Sequence, residues 1–395
     1  MKAGALTVVM AAIVAAGALV GGGVGSAQVA ATPQWQTAPV DSNGIQFAVW
    51  AAGRLWIGNW GGNGAARLVS ARVVNGRLTS WVNANVSLGG FVSTFNAVVG
   101  ENLVYSATGA DGVTPDVKGA KLLPNGKVNA LVDLGGAPAP QSSGATLFAQ
   151  LPDRAVSQAT ISVGRDGHHA GACCDANGKV VDWNSFLPYG TSARFGVDRH
   201  GRLWLAWQIP RKPVAAMVEL DTKTLQPRGK PAPAPGLASR IDEMVCAERC
   251  RLMIEGNYGN RSPNANHFWS WAPGERSVTQ LKLPKSYSPS GVPQLLGAHD
   301  QRGHLVVAFA VQDKNSAMVI GLTRGDAKGG NARVVQSIVA PYSIGPLKNP
   351  LGFYTAVWGP GSGWGTGAAF GPNGFAPAVE YQGDKEAVRV AILKL

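Results

Sequence analysis

The sequence predicts an all-β fold, and three observations lead to it. The 395 residues include 52 Gly and 25 Pro, about a fifth of the chain, against about 12% in an average protein. Charged residues make up 15% and hydrophobic residues 45%, which excludes a disordered polar tract and a long charged coiled coil. Short apolar runs rich in Val, Ile and aromatic residues recur between turn signals, and these runs are too short for helices.

The N-terminal residues have the pattern of a secretory signal peptide. Lys2 is followed by an uncharged run of Ala, Gly, Val, Leu, Ile and Met with one Thr, and then by Gly25-Ser26-Ala27. An uncleaved membrane anchor is the alternative, because the run is long enough to span a bilayer. However, three consecutive Gly residues weaken its hydrophobicity and no basic cluster follows. We therefore expect residues 1–27 to be a cleaved signal peptide, and the protein to be secreted or extracytoplasmic without stable membrane insertion after cleavage.

The formal net charge of +12, or +11 once Lys2 is removed, favours anionic partners. The cations are scattered singly and no dense Lys/Arg run occurs, so nucleic acid is not predicted as a partner. For an exported protein the predicted partner is a polysaccharide or another component of the cell envelope. A positive surface that only maintains solubility is the alternative.

Strand-like segments are separated by turns that repeat with a period of about 50 residues. Clear segments are Ile45–Trp50, Arg54–Trp60, Leu203–Trp207 and His304–Phe309. One series of turns lies near Gly53, Glu101, Asp153, Gly201, Glu248, Gly303 and Gly361. A second series lies near Gly76, Gly126, Gly178, Lys223, Gly274, Lys328 and Gly383, each 22 to 26 residues after its partner. Two hairpins per period indicate four strands per unit.

A four-stranded unit cannot bury both of its faces alone, so the units must pack against each other. Radial packing of such sheets is a β-propeller, and the number of periods predicts seven four-stranded blades, with six or eight as alternatives. A pair of β-sandwiches is the structural rival, but it would not alternate its turns at a fixed half-period. The predicted domains are a lead-in over residues 28–44 and a single propeller over residues 45–395. Residues 33–44 either add an outer strand to the last sheet or remain unpaired.

Two turn motifs resemble those of secreted bacterial propellers. Val197-Asp-Arg-His-Gly-Arg-Leu-Trp204 and His299-Asp-Gln-Arg-Gly-His-Leu-Val306 are similar to the Asp-x-x-Gly-x-Leu/Ile-Trp turns of the streptogramin-lyase-like and sialidase-like (Asp-box) groups. The resemblance implies the propeller fold, whereas its motifs are structural and shared by many activities. No catalytic residues of either group carry over to this sequence.

The four cysteines favour disulfides in an exported chain. Cys246 and Cys250 bracket a predicted hairpin turn, which brings their Cα atoms towards bridging distance. Cys173 and Cys174 would then form a vicinal bridge near another turn. The other two pairings would join the third unit to the fifth. A zinc site on Cys-x3-Cys is the functional rival, but no His/Cys pair completes it, so no metal is predicted.

The two turn series belong to one end of a propeller, which we call the tight-turn end. His200, His299 and His304 fall in or beside turns of the first series and are expected there. The opposite, long-loop end receives the connections between second and third strands and between blades. Its residues are rich in aromatic rings, guanidinium groups and amides, which suit a polar or anionic glycan. The predicted ligand-binding residues are Trp60, Arg165, His168, Tyr189, Arg211, Tyr258, Arg261, Tyr287 and Tyr342.

The sequence leaves binding and catalysis both open. A retaining glycosidase needs two carboxyl groups about 5 Å apart, and a sialidase uses a Tyr nucleophile and three clustered arginines. The available carboxylates at the long-loop end are Asp111, Asp116, Asp166, Glu255 and Asp313, and the arginines are Arg165, Arg211 and Arg261. For a metal-dependent lyase, His168 or His169 is the potential base. The prediction is ligand binding without a cofactor, and the alternatives are a glycoside hydrolase, a lyase and a non-catalytic envelope scaffold.

Overall fold

A computed structural model describes most of the chain after residue 31. The described residues are 32–41, 45–59, 67–84, 92–99, 101–108, 115–129, 132–133, 145–151, 154–163, 169–172, 181, 193–209, 214–235, 240–255, 268–287, 293–315, 317–340, 353–356, 376–382 and 387–395. They form strands, turns and irregular segments, which confirms the all-β prediction. In this part of the chain, no helix is long and apolar enough to cross a bilayer. The predicted signal peptide lies outside it.

The described strands form seven antiparallel sheets, which we number I to VII along the chain. The first strand, β1 (Gln36–Asp41), belongs to sheet VII. Sheet I contains β2 (Ile45–Ala51), β3 (Arg54–Asn59), β4 (Arg67–Val74) and β5 (Arg77–Asn83). Sheet II contains β6 (Val92–Val99), β7 (Asn102–Thr108), β8 (Pro115–Lys121) and β9 (Val132–Asp133). Sheet III contains β10 (Ala145–Leu151), β11 (Arg154–Val163) and β12 (His169–Ala172).

The remaining sheets continue the same arrangement. Sheet IV contains β13 (Ala193–Val197), β14 (Leu203–Ile209), β15 (Val214–Leu220) and β16 (Ala232–Pro233). Sheet V contains β17 (Arg240–Cys246), β18 (Cys250–Glu255), β19 (Phe268–Trp271) and β20 (Thr279–Leu281). Sheet VI contains β21 (Gln294–Gln301), β22 (His304–Gln312), β23 (Met318–Arg324) and β24 (Arg333–Val339). Sheet VII contains β25 (Phe353–Ala356), β26 (Ala376–Gln382), β27 (Ala387–Leu393) and β1.

In sheets I to VI, neighbouring strands are consecutive in the chain, so each sheet is a meander. The first series of predicted turns joins the first and second strands of these sheets, as at Gly53, Gly201 and Gly303. Described members of the second series, such as Gly76 and Gly274, join the third and fourth strands. Because consecutive strands are antiparallel, both kinds of turn lie at one end of each sheet, which is the tight-turn end. The number of blades in the whole chain stays a prediction.

The Asp-x-x-Gly turn of sheet IV shows why this motif forms a hairpin. Asp198 Oδ1 accepts hydrogen bonds from the backbone N–H groups of His200 and Arg202, both at 3.0 Å. Asp198 Oδ2 accepts from Arg202 Nε at 2.7 Å and from Trp204 Nε1 at 3.1 Å. Gly201 has a φ of +74°, a left-handed conformation that glycine adopts without strain. The motif therefore satisfies a buried carboxylate within the turn that it builds.

The sheets pack in sequence around a common axis. The first strand of each sheet contacts the first strand of the next, in the pairs β2–β6, β6–β10, β10–β13, β13–β17 and β17–β21. Sheet VI packs against sheet VII through Val306 and Ala308 on one side and Ala391 and Leu393 on the other. Sheet VII in turn packs against sheet I in a cluster that includes Val390 and Ile392 of β27. The apolar core is therefore divided among the interfaces between neighbouring sheets, and the last sheet returns to the first.

The N-terminal strand completes the last sheet, which is one of the two roles that the sequence left open for residues 33–44. β1 pairs antiparallel with β27, with Thr37 opposite Arg389. Trp35 Nε1 donates to Val339 O of sheet VI at 2.8 Å, and Gln36 Oε1 accepts from Leu78 N of sheet I at 3.1 Å. Residues 35–41 thus connect sheets VI, VII and I.

One expectation about the last sheet is wrong. We expected the turn near Gly383 to join a third strand to a fourth strand at the tight-turn end. The described strands on either side of Gly383, β26 and β27, are instead the second and third strands of sheet VII, and their facing ends lie at the long-loop end. The reason is that sheet VII takes its fourth strand from the N-terminus, so its C-terminal residues supply only three strands.

Candidate ligand-binding surface

Most of the predicted ligand-binding residues lie outside the described part of the chain. They are Trp60, Arg165, His168, Tyr189, Arg211, Tyr258, Arg261 and Tyr342. Cys173 and Cys174, predicted to form a vicinal disulfide, also lie outside it. Tyr287 is described, and so is Asp313, one of the predicted acidic residues. The predicted hydrolase and lyase sites depend on the undescribed residues and stay predictions.

Tyr287 is fixed at the long-loop end of sheet VI by its backbone. The segment after β20 reaches the end of β22, where Tyr287 N donates to Gln312 O at 2.7 Å. Gln312 N in turn donates to Ser286 Oγ at 3.2 Å, and Ser286 is buried. These two hydrogen bonds attach residues 286–287 to the last residue of β22. The position of Tyr287 is therefore set by the sheet.

The side chain of Tyr287 faces solvent, with the residue 57% exposed. Lys285 Nζ lies 5.0 Å from the centroid of the Tyr287 ring, a cation–π distance. Contact between an apolar ring and water is unfavourable, and stacking a ligand ring on the Tyr287 ring removes part of that contact. The ring and the ammonium group together present an apolar face and a positive charge to the same side of the sheet end.

The turn next to Tyr287 is short and internally bonded. Asp313 Oδ1 accepts from the backbone N–H groups of Asn315 and Ala317, both at 2.8 Å, and Asp313 N donates to Ala317 O at 2.8 Å. The carboxylate of Asp313 is therefore used to hold the turn, which argues against its predicted role as a glycosidase carboxylate. Lys314 and Asn315 are exposed on this turn. We call Lys285, Tyr287, Lys314 and Asn315 the Tyr287 corner.

The three histidines expected at the tight-turn end lie there. His200 is exposed in the turn of sheet IV, and His304 begins β22, where its Nδ1 lies 3.0 Å from Gly325 O. His299 is half-buried on β21, and burial lowers its pKa below the ordinary value while the neighbouring Asp300 acts in the opposite sense.

An ion cluster that the sequence did not predict lies at the tight-turn end of sheets V and VI. Glu275, in the turn between β19 and β20, contacts Arg249 at 2.7 Å, Arg251 at 2.6 Å and Lys328 at 3.7 Å. Burial alone would raise the pKa of Glu275, but the hydrogen bonds and charge of Arg251 hold it below the ordinary value. The signal in the sequence is the spacing of Arg249 and Arg251 around Cys250, because side chains two positions apart in an extended segment lie on the same side.

The cysteine hairpin carries the predicted disulfide. Cys246 and Cys250 are bonded, with their Cα atoms 3.9 Å apart. Arg199 N of sheet IV donates to Ala247 O within this hairpin at 2.7 Å. The disulfide thus closes the turn that carries Glu248 and Arg249, at the contact between sheets IV and V.

Comparisons with known proteins identify the architecture alone. No protein-family model matches the sequence, and no curated protein matches it. A structure described as a polysaccharide lyase of a new family, ulvan lyase, aligns with 90% of this chain and 93% of its own at 9% identity and a TM-score of 0.50. A puromycin hydrolase aligns with 90% of this chain and 54% of its own at 15% identity and a TM-score of 0.50. The β-propeller domain of a trilobed protease from Pyrococcus furiosus aligns with 89% of this chain and 97% of its own at 8% identity and a TM-score of 0.46.

Identities this low show the fold and leave the activity open. The structures that resemble the chain are β-propellers, and the sheets described above have the meander order of propeller blades. This chain is therefore a β-propeller, to which no single family within that architecture is assigned.

Proposed function

We propose that the protein is an exported β-propeller that binds an anionic glycan or a similar polar cell-surface partner at its long-loop end. The signal-like N-terminus supports export. The Cys246–Cys250 disulfide supports it as well, because disulfides persist in oxidising compartments outside the cytoplasm.

The observation that carries the proposal is the exposed ring of Tyr287 with a cation beside it. The backbone of Tyr287 is held by its hydrogen bond to Gln312, so little backbone conformational entropy is lost when a ligand stacks on the ring. Lys285 and Lys314 supply positive charge for a carboxylate or sulfate group, and Asn315 offers an amide for hydroxyl groups. These groups recognise a sugar without requiring a reactive side chain, which is why binding is proposed before catalysis.

The test is glycan binding by the secreted protein and its Tyr287 variants. The protein is screened on an array of neutral and acidic glycans, and the affinity for the strongest acidic ligand is then measured by calorimetry. We expect Tyr287→Ala to weaken binding about tenfold, since aromatic contacts contribute roughly 0.5–1.5 kcal/mol beyond area burial. Tyr287→Phe keeps the ring and is expected to retain most of the affinity.

The control is Val74→Ala, which shortens another exposed apolar side chain at the tight-turn end of sheet I. It is expected to leave glycan binding unchanged. Equal affinity of the native protein and Tyr287→Ala for the array ligand, or no binding to any glycan, would refute a site at this corner.

A further inference from the structure

The Glu275 cluster holds more positive charge than negative. Arg249 Nη2, Arg251 Nη2 and Lys328 Nζ all contact one oxygen, Glu275 Oε1, at 2.7, 2.6 and 3.7 Å. Three cations around one carboxylate leave an excess of two positive charges. Cations that share one oxygen lie close to each other and repel, so a further anion beside them is favoured.

The cluster has a buried part and a part that is open to ligands. The side chains of Arg251 and Glu275 are only 6% and 7% exposed, and they form the inner pair. The side chains of Arg249 and Lys328 are 47% and 54% exposed. The inner pair therefore positions the outer two cations, whose side chains are about half exposed to solvent.

Both outer cations are carried on rigid turns. Arg249 lies in the hairpin closed by the Cys246–Cys250 disulfide. The backbone N–H of Lys328 donates to Asp326 Oδ1 at 2.9 Å, and Ser270 of sheet V donates to the carbonyl oxygen of Lys328. Gly329 packs so closely on sheet V that an added Cβ would lie 2.3 Å from Leu281 Cδ2. Because the backbones of Arg249 and Lys328 are fixed before an anion binds, binding orders less of the chain and costs less conformational entropy.

Ion pairs continue from this cluster to sheet IV. Glu248, beside Arg249 in the hairpin, contacts Arg199 and also His200 Nε2, the latter at 3.2 Å. The side chain of Arg199 is 66% exposed and that of Arg202 is 41% exposed. Exposed cations therefore occur at the tight-turn ends of three neighbouring sheets, IV, V and VI, and Arg199 and Arg202 of sheet IV are each paired with one carboxylate. Cations on neighbouring sheets suit a polymer that carries repeated negative charges.

We propose that the tight-turn end of sheets IV to VI binds an acidic polysaccharide, and that Arg249 and Lys328 hold one of its carboxylate or sulfate groups. The planar guanidinium of Arg249 matches such a group in a bidentate manner, and Lys328 adds a point charge. The surface lies at the opposite end of the propeller from Tyr287, so it is a second binding site. Single-stranded nucleic acid favours large aromatic rings for base stacking, and none of the described Phe, Tyr or Trp residues at this end is exposed.

The test measures binding to dextran sulfate, with neutral dextran as the uncharged comparison. The double variant Arg249→Gln/Lys328→Gln is expected to bind dextran sulfate at least tenfold more weakly than the native protein. Its affinity is also expected to depend less steeply on salt concentration, because fewer counterions are released when fewer cations contact the polymer. The thermal unfolding midpoint of each variant is recorded to confirm that it is folded.

The matched control is Arg77→Gln/Lys127→Gln, which removes one exposed arginine and one exposed lysine at the tight-turn ends of sheets I and II, outside the proposed surface. It is expected to change the affinity less than twofold, and Tyr287→Ala is expected not to change it. Equal losses in the two double variants would show that net charge alone attracts the polymer, and would overturn the site. Tighter binding of a DNA duplex than of dextran sulfate, with the same loss in Arg249→Gln/Lys328→Gln, would overturn the proposed ligand.

Discussion

A chain that lacks residues 33–41 is expected to lose its cooperative unfolding transition. The deletion removes β1, the outer strand of sheet VII, and leaves the edge of β27 unpaired. It also removes Trp35 and Gln36, which bond to sheets VI and I. Exposed strand edges pair with other chains, so we further expect the truncated protein to aggregate.

The side chain of Trp35 provides a graded form of this experiment. Trp35→Ala removes a hydrogen bond to Val339 O and a half-buried ring that packs on the cluster between sheets VI and VII. We expect the free energy of unfolding to fall by about 2 kcal/mol, less than for a fully buried Trp. Gln34→Ala, which affects an exposed bond to Arg77, is the control and is expected to cost less than about 0.5 kcal/mol. Similar urea midpoints for the two variants would contradict a role of Trp35 in holding the sheets together.

Gly196→Ala is expected to destabilise the contact between sheets IV and V by about 1–3 kcal/mol. A Cβ at position 196 would lie 2.4 Å from Cys246 Sγ and 3.0 Å from Met244 Cε, both on β17. The disulfide keeps the sulfur atom from moving away, so the strands must separate. The measurement is urea unfolding of the oxidised protein.

Gly229→Ala is the matched control, because nothing lies within 4 Å of the position of its added Cβ. It is expected to leave the free energy of unfolding unchanged or slightly higher, because Ala has less conformational entropy than Gly in the unfolded chain. Reduction of Cys246–Cys250 frees the sulfur, so the penalty of Gly196→Ala should shrink in the reduced protein. An equal penalty in both redox states would show that the disulfide does not restrict this position.

The turns and sheets were accessible from the sequence because local residues specify them. Asp198 and Gly201 build one hairpin from their own side chain and backbone, and the same pattern recurs at Asp300 and Gly303. The role of residues 36–41 could not be decided in this way, since β1 pairs with a strand about 350 residues later. The turn near Gly383 was assigned to the wrong end of sheet VII for the same reason, because the fourth strand of that sheet is β1.

The candidate site was predicted less completely. Tyr287 and Asp313 were placed at the long-loop end, and the structure has both there, bonded to neighbouring positions of one sheet. The Glu275 cluster was missed because its members come from separate turns of two sheets: Arg249, Glu275 and Lys328. Arg249 and Glu275 come from two different hairpins of sheet V, and Lys328 of sheet VI reaches Glu275 only through packing between blades. The spacing of Arg249 and Arg251 therefore indicates two neighbouring cations but not the carboxylate that they share.

The central claim is that the sheets form a closed ring in which the two ends of the chain share one sheet. The most direct measurement is a disulfide between Thr37→Cys and Arg389→Cys, which are direct partners across β1 and β27. Opposed residues of antiparallel strands have Cα atoms about 4.5–5.5 Å apart, within the range of a disulfide. Thr37→Cys with Lys394→Cys is the control, because the second cysteine lies roughly 16 Å farther along the strand direction. Peptide mapping by mass spectrometry is predicted to find the 37–389 bond in most oxidised molecules and no 37–394 bond; absence of the first bond, or equal amounts of both, would contradict the closed ring.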